Sequence, residues 1–173
     1  MMPAPDRVEV RAAGNREALF LLVEVTEPLM DRVIAWVDHN NGPLESDDRV
    51  EVRFDSTGRG RYVYFGMINH KGFFKEMNIR RDTGQAEGPW RVGARPIRVL
   101  AMPRKDGFGL AIAIPWVKWN LSWKAAADCR LEIKRRRHLY ANEVRAREQR
   151  LSSVSSLSGK EWGWLRLKWE GKE

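Results

Sequence analysis

The sequence is short of the residues that build covalent or metal-held cores. It has one cysteine, Cys129, among 173 residues, which excludes an internal disulfide framework and a cysteine-rich zinc site. Its three histidines, His39, His70 and His138, stand far apart, so no histidine metal centre is expected. No run of about 18 apolar residues occurs, which excludes a transmembrane helix. The N-terminal stretch holds Pro3, Pro5, Asp6, Arg7, Glu9 and Arg11 and lacks the apolar centre of a secretory signal.

What is present is apolar material in quantity. Hydrophobic residues make up 43% and charged residues 31%, a balance that suits a packed core and argues against wholesale disorder. The length fits a single domain, expected to occupy residues 1–173. Eight tryptophans are the compositional excess. The net charge of +8 is uneven, with −2 over residues 1–86 and +10 over residues 87–173. Residues 130–150 alone hold eight basic and three acidic side chains. Such a basic half is either a solvated face or a surface for a polyanion.

The chain reads as short strands between turn signals, the pattern of an all-β sandwich. Residues 8–12 and 19–25 form a hairpin, closed by Pro28, which cannot continue a ladder. Over residues 29–37, Leu29, Met30, Val33, Ile34 and Val37 follow the helical period, so a short helix is expected, anchored by the packing of Trp36. Residues 39–43 are a loop. Residues 50–54 alternate strictly, with Val50, Val52 and Phe54 on one face and Glu51 and Arg53 on the other. Strands follow at 62–69 and 73–79, then a hairpin of 96–102 and 107–114. In the last of these Leu110, Ile112 and Ile114 share a face, and Ala111 and Ala113 take the other. A helical turn is expected within 116–127. Leu131 and Ile133 alternate with Arg130, Glu132 and Lys134, which predicts a strand with a charged outer face. Residues 139–151 are open to strand or polar helix, and 162–169 close the fold as a strand.

Four of these stretches, in order, resemble the type 9 carbohydrate-binding module and the wider DOMON-like superfamily of β-sandwiches. LFLLVEVTEP at 19–28 resembles the strand ending in VxVTDP. DDRVEVRFD at 47–55, with GRGRY at 58–62, is similar to the DSVEVFLD strand and its GDGxY turn. GLAIAIPW at 109–116 resembles the phrase xEIAIPW, and WGWLRL at 162–167 the closing FGRLVL strand. The resemblance covers residues 19–167 and implies an antiparallel, jelly-roll-like β-sandwich with one or two short helices. It also implies a non-catalytic module that holds the end of a sugar chain between two tryptophans. The positions of those tryptophans are occupied here by Leu44 and Val154, so an altered site is expected. The family's sugar-contacting glutamate matches Glu51, whereas its arginine on the following strand falls near Gly66 or Met67 and is missing. The family's opening IDGxLDE segment is also missing. The expectation is either a shortened branch or a start lying upstream, where an export signal would sit, since relatives of this type are usually exported.

The tryptophans divide. Trp116 ends the IAIPW strand and resembles a core residue, and Trp162 and Trp169 belong to the packing of the last strand. Trp90 lies in a loop, while Trp119 and Trp123 stand four apart on a possible helical turn. They form either a stacking platform or ordinary core. Acid–base chemistry needs positioned carboxylate pairs, and Glu45, Asp47, Asp48, Glu51 and Asp55 form one dense group without a partner across a cleft. Asp47, Asp48 and Asp55 are read as solvated loop carboxylates, because the spacing of a calcium loop is absent. Haem would need axial ligands from Met67, His70, Met77 or Met102, without a haem motif to support them. No cofactor is therefore expected. The candidate carbohydrate contacts are Glu51, Arg53, Trp90, Trp123 and Arg136. The alternative is a protein- or nucleic-acid-interaction domain using Arg130, Lys134 and Arg136.

Overall fold

The computed structural model describes residues 7–55, 62–89, 96–119, 130–137, 148–151 and 165–166. These residues form two packed antiparallel sheets. The smaller has the order β1-β2-β8-β7, from β1 (Arg7–Gly14), β2 (Ala18–Thr26), β7 (Arg98–Arg104) and β8 (Gly107–Pro115). The larger has the order β10-β9-β3-β4-β5-β6, with β11 also paired to β9. Its strands are β3 (Arg49–Asp55), β4 (Tyr62–Asn69), β5 (Phe74–Arg80), β6 (Ala86–Pro89), β9 (Arg130–Arg136), β10 (Glu148–Leu151) and β11 (Leu165–Arg166). The helical structure described is three short 3₁₀ turns, Met30–Arg32, Leu44–Ser46 and Trp116–Trp119.

The period of two places the core. From the larger sheet come Val50, Val52, Phe54, Tyr64, Ile68, Leu131 and Ile133, all buried. The smaller sheet answers with Leu19, Leu21, Val23 and Val25 on β2 and Phe108, Leu110, Ile112 and Ile114 on β8. Successive side chains of a strand point to opposite faces, so each alternating run fills one inter-sheet layer. Trp116 is buried as expected, and its indole N–H donates to the Asn15 carbonyl at 2.7 Å. That bond satisfies the one polar atom the ring takes inside.

Two charged groups are built into the interior. Glu76 on β5 accepts from the Tyr64 hydroxyl at 3.0 Å and from Lys118 Nζ at 2.6 Å, and all three side chains are buried. Residue 66 has to be glycine beside them, because a Cβ there would lie 2.9 Å from the Tyr64 hydroxyl oxygen. Burial, then the charge of Glu76 and the bond to it, push the Tyr64 ionisation well above its ordinary range. Glu27, fully buried at the end of β2, is held by Arg135 and by Arg137 at 3.3 Å. Salt bridges of this kind cross from one sheet to the other, and removing one partner leaves the other charge buried and unpaired.

The helix expected over 29–37 is a correction. Only Met30–Arg32 turns, Val33 is extended, and the chain then runs through residues 34–38 without regular secondary structure. The amide of Ile34 donates to Asp48 Oδ2 at 2.7 Å, and those of Trp36 and Val37 donate to Asp47 at 2.9 and 3.2 Å. Side-chain carboxylates thus take the N–H groups that a helix would give to its own carbonyls. Trp36 is no packing anchor. It is 74% exposed. The 116–127 turn begins as Trp116–Trp119, β10 makes residues 148–151 a strand, and β11 falls within the closing strand; the rest of those segments, with Trp162 and Trp169, lies outside the described residues.

Candidate functional site

The outer face of the larger sheet is built by the residues that alternate with the core. On β3 these are Arg49, Glu51 and Arg53. The register sets Arg53 opposite Glu132, Glu51 opposite Lys134 and Arg49 opposite Arg136 on β9. On the other side Phe65, Met67 and Asn69 of β4 stand opposite Arg53, Glu51 and Arg49. Directly opposed residues share a face, so three short rows bring six charged side chains together.

Glu51 is the centre of this cluster and is only 2% exposed. Its Oε1 accepts from Arg49 Nε at 3.0 Å and lies 2.8 Å from Arg136 Nε. Its Oε2 has no hydrogen-bond partner among the described residues. Arg49 is aimed by the chain itself, since its Nη1 donates to the Glu45 carbonyl at 2.7 Å. The Arg53 guanidinium lies 5.1 Å over the Phe65 ring and 3.8 Å from Glu132 Oε2. Lys134 Nζ is 3.6 Å from Glu132 Oε1. The Arg136 side chain, 34% exposed, is the most open of the six.

The charged outer face expected of β9 is there, with Glu132 and Lys134 on it, but both side chains are buried. The physical reason is mutual neutralisation: Glu132 lies beside Lys134 on the same strand and near Arg53 on the next, so the charges leave water together. Arg135, opposite Val50, points to the other side and is buried against Glu27.

Of the expected contacts, Glu51, Arg53 and Arg136 are brought together on one face, whereas Trp90 and Trp123 lie outside the described residues. Arg49, Glu132 and Lys134 complete the cluster. Arg49 was readable in principle, because it stands two residues before Glu51 on an alternating strand and so shares its face. Glu132 and Lys134 required the pairing of β3 with β9. Met67 stands directly opposite Glu51, where the resemblance expects an arginine, and the guanidinium partners arrive instead from Arg49 and Arg136. Leu44 is fully buried with Val37, Phe65 and Met67, so it forms no exposed wall. Val154 lies outside the described residues.

The aspartates are likewise not solvated loop groups. Asp47, Asp48 and Asp55 are buried. Asp47 accepts from Trp36, Val37 and Asn69 Nδ2, Asp48 from Ile34, and Asp55 from both terminal nitrogens of Arg81 at 2.6 Å. Their oxygens serve protein donors, which is a fold role. Among the described residues no group of three or more His, Cys, Asp or Glu side chains is arranged to hold a metal. Met67 and Met77 lie on the outer face of the larger sheet and Met102 on the outer face of the smaller one, paired with Gly109. The sandwich itself therefore separates Met102 from the other two. His70 is half-buried and tilted against Phe108 with ring centroids 5.9 Å apart. Burial and then the Lys71 charge hold its pKa below the ordinary value, against the pull of Asp48 and Asp47.

The smaller sheet presents a different outer face. Phe20 and Leu22 of β2, Ala111 and Ala113 of β8 and Leu100 of β7 line an open trough of about 480 Å³, with Arg11 and Arg98 at its sides.

No family model and no curated protein matches the chain. Solved structures do match in shape. A protein inferred to bind carbohydrate, from Bacteroides uniformis, superposes with a TM-score of 0.59 at 15% identity, over 76% of this chain and 63% of the other. A family 9 carbohydrate-binding module from Caldicellulosiruptor kristjanssonii in complex with cellotriose gives 0.53 at 15% identity, over 85% and 65%. A family 9 module from the same organism in complex with glucose gives 0.51 at 14% identity, over 92% and 83%. The chain thus spans less than two thirds of the length of the first two. At such identities the likeness establishes a common fold, the antiparallel β-sandwich of carbohydrate-binding modules.

Proposed function

We propose that this chain is a non-catalytic carbohydrate-binding domain whose site, on the outer face of the larger sheet, is altered from the family 9 pattern. The observation that carries the reading is Glu51. It is a buried carboxylate with one oxygen clamped by two arginines and the other without a partner among the described residues. A buried acceptor without a donor costs free energy, and a sugar hydroxyl is a donor of the right kind. Arg136, the most open of the six, and Arg53, on its aromatic support, offer donors to ring and hydroxyl oxygens.

The alteration sets the strength. With Leu44 buried, stacking at that position is lost, and hydroxyl contacts compete with water. Binding of glucose, cellobiose and xylobiose is expected near millimolar, about −4 kcal/mol, and should vanish in Glu51→Gln. Titration calorimetry measures both. Absence of binding to every sugar sinks the carbohydrate reading. Micromolar affinity lost in Glu51→Ala sinks the altered site instead. Because sugar contacts of this type involve no counterion release, affinity should hardly change with salt. Retention on heparin or RNA at about 0.15 M salt, where the Debye length is about 8 Å, would favour the polyanion alternative.

A further inference from the structure

Tryptophan is normally among the more buried side chains, yet Trp36 is 74% exposed. It does not hang on a loose loop. The strap of residues 33–38 is fastened along its length by side chains of other segments, most of them buried. Asp48 takes the Ile34 amide and Asp47 those of Trp36 and Val37. Asn69 Nδ2 donates to the Val37 carbonyl at 2.9 Å, and Lys71 Nζ to the Ala35 carbonyl at 2.8 Å. Val37 is pressed from the far side by the next turn, where a Cβ at Gly42 would lie 2.6 Å from its Cγ1. Ile34 and Val37 are buried, whereas the indole between them faces outward. The result is a flat apolar surface on a rigid mount, held in water at a cost that no interior contact repays.

The place of the strap matters as much as its rigidity. Val37 packs in one cluster with Leu44, Phe65 and Met67, and Met67 is the cross-strand partner of Glu51. Trp36 therefore rises from the border of the face that carries Glu51. Around it stand Lys71, Asp38 and His39. The last two are exposed, with a ring nitrogen 3.1 Å from the carboxylate. One cation beside one anion makes a polar but nearly neutral surround, which suits hydroxyl groups better than phosphates.

We propose that Trp36 is the stacking platform of the carbohydrate site, taking the apolar C–H face of a pyranose ring and replacing the aromatic wall that buried Leu44 does not provide. This inference rests on the carbohydrate reading and adds the residue that would hold the ring. Flat aromatic surface contacts an apolar face without losing much side-chain entropy. Asp38, His39 and Lys71 then reach the hydroxyls at the ring's edge.

The test is an NMR titration of the full chain with cellobiose, following the tryptophan indole N–H signals, with the Trp36 signal assigned by its loss in Trp36→Ala. The expected result is a saturable shift of the Trp36 signal and an affinity at least about tenfold weaker in Trp36→Ala, equivalent to about 1.4 kcal/mol. Trp36→Phe should retain part of the affinity. The thermal midpoint should stay within about 3 °C in both variants, as befits an exposed side chain. An unmoved Trp36 signal, with binding still lost in Glu51→Gln, overturns the platform and leaves the carbohydrate reading standing. A large fall in midpoint in Trp36→Ala also overturns it, because the indole would then be a structural group. Absence of binding by the unaltered chain to any of the sugars removes the carbohydrate reading and the platform with it.

Discussion

The two sheets share one apolar interior but present different outer faces. The larger sheet turns outward a cluster of Arg49, Glu51, Arg53, Glu132, Lys134 and Arg136, most of it buried and internally paired. The smaller sheet turns outward alanines and a glycine flanked by exposed Phe20 and Leu100, with Arg11, Glu24, Arg98 and Arg104 around them. Charge is thus hidden on one side of the sandwich, whereas on the other both charge and apolar surface are open to water. The difference teaches that burial in this fold follows cross-strand pairing more than residue type. Lys134, opposite Glu51 and beside Glu132, leaves water, whereas Leu100, with only the small Ala111 opposite it, stays exposed.

Four substitutions test that contrast. The largest effect should come from the shared interior. Ile112→Ala on β8 removes a fully packed side chain and should cost about 2–5 kcal/mol in denaturant unfolding, with Ile114→Ala alike. A loss under about 1 kcal/mol would mean that the two sheets are not packed through this strand.

Next comes the charged face. Glu51→Ala leaves Arg49 and Arg136 facing each other without their carboxylate and should cost about 2–3 kcal/mol, less than a fully enclosed pair because Arg136 is partly solvated. Chemical denaturation of the variant at low and high salt provides the check. A neutral or stabilising outcome would show that the cluster is held for ligand binding alone.

The smallest effect belongs to the apolar face. Leu100→Ala should change stability by less than about 0.5 kcal/mol, because the side chain is 63% exposed and gives up little contact. A loss above about 1 kcal/mol would show that something covers that face in solution.

Much of the sandwich was legible because alternation is a local property. Val50, Val52 and Phe54 declare a buried face whatever their partners are, and Leu110, Ile112 and Ile114 do the same against Ala111 and Ala113. Glu51 was legible through its place in the DDRVEVRFD stretch. The strap of residues 33–38 was not. Its apolar spacing satisfies a helix, and the carboxylates that take its amides instead lie ten or more residues further along the chain.

By itself, then, the sequence determined the all-β class, the strand phases and the identity of the core, since these follow from a two-residue period and from turn residues. The tertiary structure alone decided that the charges of β3 and β9 are buried, that Asp47 and Asp48 fasten a distant segment, and that Trp36 faces water. Each of those outcomes depends on which strand lies beside which. A side chain's cost in or out of water is set by the partner across the ladder, and pairing of residues such as Glu51 with Lys134 joins parts of the chain that no local pattern connects.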